Sequence, residues 1–126
     1  GTLRYAFKTQ AGEAYSEKAE AEGVIFAASV LPAVHACDPT AAQVIADNLV
    51  AGQSNTADFV AVKAAFESTY ECMGVNPEHG GGLYNAATRS YEENAEPLNY
   101  SGSSAVVATA SMVVATVVGA LIAIVV

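Results

Sequence analysis

HACDPTAAQVIADNLVAG, residues His35 to Gly52, is the stretch that decides how this chain folds. Asp38 is a short carboxylate suited to accept from the free N–H groups of a first helical turn. Pro39 lacks an N–H that a first helical residue would leave unused. The pair therefore starts a helix from Pro39 to about Val50. Ala42, Ile45 and Leu49 recur along it at three-to-four spacing, which gives it one apolar side. Gly52 is its stop, and Gln53-Ser54-Asn55 is the turn that follows.

Upstream of Asp38 the pattern predicts a longer helix, from about Glu13 to Ala36. Its first half, EAYSEKAEAE, is rich in helix formers and acidic in its opening turns, which suits the positive helix N-terminus. Its second half, GVIFAASVLPAVHA, is apolar nearly all round and is expected in the core. Pro32 lacks an N–H and crowds the preceding turn, so a kink or break is expected there. Residues 1–12 (GTLRYAFKTQAG) carry Arg4, Tyr5, Phe7 and Lys8 without a clear period. They read as an extended arm, its aromatics tucked onto the domain or used on a partner.

Downstream, a third helix is expected from about Thr56 to Met73. Phe59, Val62, Phe66, Tyr70 and Met73 recur at intervals of 3, 4, 4 and 3 residues, an amphipathic stripe that belongs in a core. Gly74 is its natural end. Pro77 and Gly80-Gly81-Gly82 mark an irregular connection, and LYNAATRSYEENAEP is expected to hold one short helix around Leu83 to Glu93.

The chain closes on AVVATASMVVATVVGALIAIVV, Ala105 to Val126, with no charge and no Asn, Gln, His or Pro. As a helix it would be about 33 Å long, enough to cross a bilayer. Tyr100 stands where an interfacial aromatic anchor would. Ser111, Ala115, Gly119 and Ala123 fall four apart and line one side, a small-residue seam that lets another membrane helix approach closely. Ser101-Gly102-Ser103 before an apolar tail also resembles a glycolipid-anchor signal, although the spacer is short for one. The expected fold class is all-α: a small three-helix extrinsic bundle, with room for one short extra helix, and a single C-terminal transmembrane helix. The expected segments are an arm over 1–12, the bundle over 13–74, a glycine-turn region and linker over 75–104, and the membrane helix over 105–126.

The chain has 126 residues and a formal net charge of −8, and every charged side chain lies at or before Glu96. The acidic part is thus the extrinsic part, which disfavours nucleic acid and anionic lipid headgroups as partners. The start at Gly1, without a Met, reads as a processed N-terminus. Two cysteines, Cys37 and Cys72, make an even pair that suits an oxidising compartment. In an up-down-up bundle the ends of the first and third helices meet, so these cysteines are placed to form a disulfide. Closing that loop would contribute about 3–4 kcal/mol in the chain-entropy model.

His35, Cys37, Asp38, Glu71, Cys72, Glu78 and His79 fall near that same end. Their spacing matches no zinc motif, and a disulfide would remove both sulfurs, so no metal site and no cofactor is assigned. His35 reads as a boundary side chain with a satisfied hydrogen bond, and His79 as an exposed loop residue. Gly80-Gly81-Gly82 is not followed by the Lys-Ser or Lys-Thr of a phosphate loop, and no Ser sits in a nucleophile elbow. No catalytic residue is assigned, and a small-molecule substrate is not expected. Asn99-Tyr100-Ser101 is a glycosylation sequon almost at the membrane surface, where access is poor.

VLPAVHACDPTAAQVIADNL (Val30 to Leu49), FVAVKAAFESTYECMGV (Phe59 to Val75), GGLYNAA (Gly81 to Ala87) and AEP (Ala95 to Pro97) together resemble the iron-assimilating, low-iron-inducible surface proteins of algae and the related phytotransferrins. The resemblance covers about half the chain. It implies an algal source and an extracytoplasmic helical domain. Such domains carry further cysteines around the glycine turn and after the AEP step, where this chain has Asn76-Pro77 and Leu98. No iron ligand maps residue by residue.

Two functions are therefore expected. The first is a non-catalytic, membrane-anchored accessory or linker subunit. Its membrane helix would pack against other membrane-protein subunits, and its acidic bundle would bridge extrinsic surfaces. For an algal source this would be a photosynthetic supercomplex with the bundle in the thylakoid lumen. The alternative is a cell-surface iron-assimilation protein that binds ferric ion.

Overall fold

The structure, a computed structural model, describes residues 1–50, 56–80 and 82–98. The expected membrane helix Ala105–Val126 with its seam Ser111, Ala115, Gly119 and Ala123, the anchor Tyr100, and the turn 51–55 lie outside the described residues. The elements run α1 (Thr2–Lys8), α2 (Glu17–Cys37), α3 (Pro39–Leu49), α4 (Phe59–Glu67), the four-residue α5 (Pro77–Gly80), β1 (Tyr84–Asn85) and β2 (Ser90–Tyr91). The described part is mostly helical, with one small antiparallel hairpin in place of the helix expected over Leu83 to Glu93.

The Asp38 cap forms as its chemistry requires. Its Oδ1 accepts from the Thr40 N–H at 2.8 Å and the Ala41 N–H at 3.2 Å, and Asp38 itself is the one-residue joint between α2 and α3. So short a joint folds the two helices back on each other. Gly23, early in α2, faces Leu49 at the end of α3: a methyl group added at Gly23 would meet the Leu49 side chain at 3.7 Å, which marks an antiparallel pair. Helix α2 starts four residues later than expected, because Ser16 Oγ takes the cap by accepting from the Ala19 N–H. It runs through Pro32 without a break. The proline forfeits one ladder bond, and the packing on either side holds the helix together.

Helix α4 is capped by Asp58, whose carboxylate accepts from the Ala61 N–H at 2.9 Å. It ends at Glu67, earlier than Met73, and continues as hydrogen-bonded turns through Gly74, whose φ of +69° is the left-handed stop that glycine tolerates. The aromatic stripe nonetheless faces inward: Phe59, Val62 and Tyr70 are buried, and Phe66 and Met73 pack on the core. Ile45 and Val34 are fully buried beside Val62.

The N-terminal segment is a helix and not an extended arm. The inward positions of α1 are Thr2 and Ala6, followed by Thr9 just beyond its end, with Leu3 and Phe7 flanking them. Small and hydroxylated residues carry no hydrophobic period, so the pattern is silent although the geometry is helical. Seven residues are too few to hold a helix alone. Tertiary contacts do so: Thr2 Oγ1 donates to the Phe26 carbonyl at 3.2 Å, Tyr5 stacks on Phe26, and Phe7 meets Phe59 edge-on. The Ala57 N–H bonds the Thr9 carbonyl at 3.1 Å and ties the end of α1 to the start of α4.

The hairpin displaces the expected short helix because Asn85 turns the chain. Its Oδ1 accepts from the Ala87 N–H at 2.9 Å and the Thr88 N–H at 3.3 Å, a local bond that competes with helix. Arg89 then takes a φ of +57°, outside helical geometry. The register pairs Tyr84 with Tyr91 and Asn85 with Ser90. Leu83 anchors the hairpin base through bonds with Ala95 and Glu92.

Candidate docking surface on the long helix

Along α2, Ala19, Gly23, Ala27 and Val34 are buried. Ile25, Ala28, Ser29, Pro32, Ala33 and Ala36 are exposed on the other side. These two sets interleave at the helical period, so they are opposite faces of one cylinder. The buried face is made of small residues, which lets α3 and α1 come close. A side chain added at Gly23 would meet Tyr5 at 3.4 Å.

The exposed face is apolar as well. From Gly23 to Cys37 there is no Asp, Glu, Lys or Arg. Ile25 is 69% exposed and Phe26 is 41% exposed, where an isoleucine would ordinarily be inside. Ser29 does not break the character of the face, because its hydroxyl is turned back onto the Phe26 carbonyl at 2.7 Å. Beside this face, at the seam with α3, lies an open apolar hollow of about 550 Å³ lined by Ala28, Leu31, Pro32, Ala42 and Ala46, with His35 and Gln43 at its rim. By length and composition α2 is long and apolar enough to cross a membrane, and only 17% of its most apolar window is buried.

The expectation that the second half of α2 belongs to the core thus holds for one face only. The partner elements α1 and α3 pack on that face, and among the described residues no element lies against the opposite one. The sequence signal was present in a charge-free run longer than any apolar stripe opposite it.

Cys37 and Cys72 are joined by a disulfide, with their Cα atoms 5.8 Å apart. It ties the last residue of α2 to the turns after α4. The bond uses both sulfurs at this end of the molecule. Asp38 is engaged as a helix cap, and His35, Glu71 and His79 are exposed. His35 is therefore not the boundary side chain the sequence suggested. Among the described residues no group of three or more His, Cys, Asp or Glu is placed to hold a metal ion. Burial pushes the Tyr70 hydroxyl above its usual range, and the nearby Glu67 carboxylate adds to this.

No family model, no curated protein and no solved structure matches this chain.

Proposed function

We propose that this protein is a non-catalytic, membrane-anchored accessory or linker subunit. Its extrinsic helical domain docks on an apolar helix of a neighbouring membrane-protein subunit. The observation that carries this reading is the exposed, charge-free face of α2. A face of Ile25, Ala28, Pro32, Ala33 and Ala36 is shallow, so a partner helix can approach closely. Covering the 69% of Ile25 that is exposed would contribute about 1–2 kcal/mol of apolar burial. The apolar segment Ala105–Val126 keeps the domain at a membrane surface, beside the extrinsic parts of neighbouring subunits. On the algal resemblance, the partner assembly is a photosynthetic supercomplex and the domain lies in the thylakoid lumen.

The test is gentle extraction from native membranes, native-gel separation and mass spectrometry of the band that contains this chain. The chain should migrate within a larger assembly, and the double variant Ile25→Glu with Ala33→Glu should release it. A control change at an exposed acidic site, Glu93→Gln, should not. Migration of the unaltered chain alone would overturn the reading, and iron in that band would favour the ferric-binding alternative instead.

A further inference from the structure

A second hollow lies on another side of the molecule, between α1, α2, α4 and the start of the hairpin. Its volume is about 390 Å³, within the range of about 300–1,000 Å³ usual for small-molecule sites. Its walls are Leu3, Phe26, Val30, Phe59, Phe66 and Leu83, an apolar lining. The buried Tyr70 ring closes one end, against Gly80.

The charges around it are unusual for this chain. Of five Lys and Arg residues in a chain of net charge −8, three stand around this hollow and the one adjoining it: Arg4, Lys8 and Lys63. Lys63 is neutralised, since its Nζ lies 2.7 Å from Glu67 and both side chains are largely covered. Lys8 lies over the Tyr5 ring at 5.6 Å. Arg4 is exposed and is shared by both hollows, the outer of which also presents the carboxylates Glu13 and Glu92. Glu92 is engaged by the Asn85 side-chain amide at 2.9 Å. The position of Arg4 is set by the contacts of Thr2 and Tyr5 with Phe26.

We infer that this hollow binds a single-chain anionic amphiphile, with its alkyl chain against the phenylalanines and its carboxylate or phosphate on the Arg4 guanidinium. A guanidinium offers paired donors that match either head group. The apolar wall supplies burial, and the cation sets which end faces out. The site shares Phe26 with the edge of the exposed face of α2, but its cation and its other walls lie off that face, so it does not depend on docking there.

The test uses the full chain in nanodiscs of zwitterionic lipid, with empty nanodiscs as the blank. Octanoate, octyl phosphate and neutral 1-octanol are titrated by calorimetry at neutral pH. Both anions should bind in excess of the blank and about tenfold more tightly than octanol, a difference of about 1.4 kcal/mol. Arg4→Gln should remove that preference and leave octanol unchanged, since Arg4 is exposed and its loss leaves the core intact. Val30→Phe, which fills the hollow, should weaken all three. A tighter fit for octyl phosphate would point to a phospholipid-type ligand, and one for octanoate to a free fatty acid. Equal uptake of the three probes, or uptake indifferent to both variants, would overturn the inference.

Discussion

Removing the Cys37–Cys72 cross-link is the perturbation whose size follows most directly from this fold. The two cysteines are 35 residues apart, and the loop they close contains α3 and α4. In the chain-entropy model a loop of that length restricts the unfolded ensemble by about 3.8 kcal/mol at 25 °C. A domain of this size is ordinarily stable by only about 5–15 kcal/mol. The cross-link is thus a large share of the total. The double variant Cys37→Ala with Cys72→Ala should lower the unfolding free energy by about 3–4 kcal/mol, and the midpoint by roughly 15–30 °C for a domain of about 100 residues. Urea titration of both proteins, followed by far-ultraviolet circular dichroism, measures the loss. The variant should also show a steeper denaturant dependence, because its unfolded chain exposes more surface. Treating the unaltered protein with reductant should reproduce both changes. A loss under about 1 kcal/mol with an unchanged slope would refute the argument, for it would mean that the unfolded chain already holds these ends together.

Two further predictions rest on single side chains. Asp38→Ala removes the acceptor for the Thr40 and Ala41 N–H groups and should cost about 1 kcal/mol, with a range of about 0.5–2, measured by the same titration. Tyr70 has its hydroxyl pKa raised on folding, so its contribution is complete below the unfolded value of about 10 and is lost as pH rises through the folded value. Stability should therefore decline above about pH 10, and Tyr70→Phe should decline less over that window; parallel curves for the two proteins would count against burial as the cause.

The Ser16 and Asp58 caps were not legible from residue type and spacing, whereas the hairpin of α2 and α3, the Asp38 cap, the inward stripe of α4 and the meeting of Cys37 with Cys72 all were. Each depends on chemistry within a turn or two, or on a period that survives any packing. Asp38 caps because of its own carboxylate and the proline beside it. Phe59, Val62 and Tyr70 lie on one side of any helix that contains them. Other features were decided only when the chain packed. Residues 2–8 are helical because Phe26 and Phe59 hold them, and their inward Thr and Ala residues give no hydrophobic signal. Residues 84–91 form a hairpin because the Asn85 side chain accepts from the Ala87 and Thr88 N–H groups and Arg89 accepts a left-handed turn, a local competition that helix propensity hides. The second half of α2 is apolar on every side, so the sequence assigned it wholly to the core. Only the packing of α1 and α3 against its other side shows that, among the described residues, no element covers one face. The sequence by itself therefore determined the paired helices α2 and α3, the inward stripe of α4 and the meeting of the two cysteines. The tertiary structure decided which apolar surface is left over, because leftover surface is the difference between what one helix offers and what its neighbours can reach.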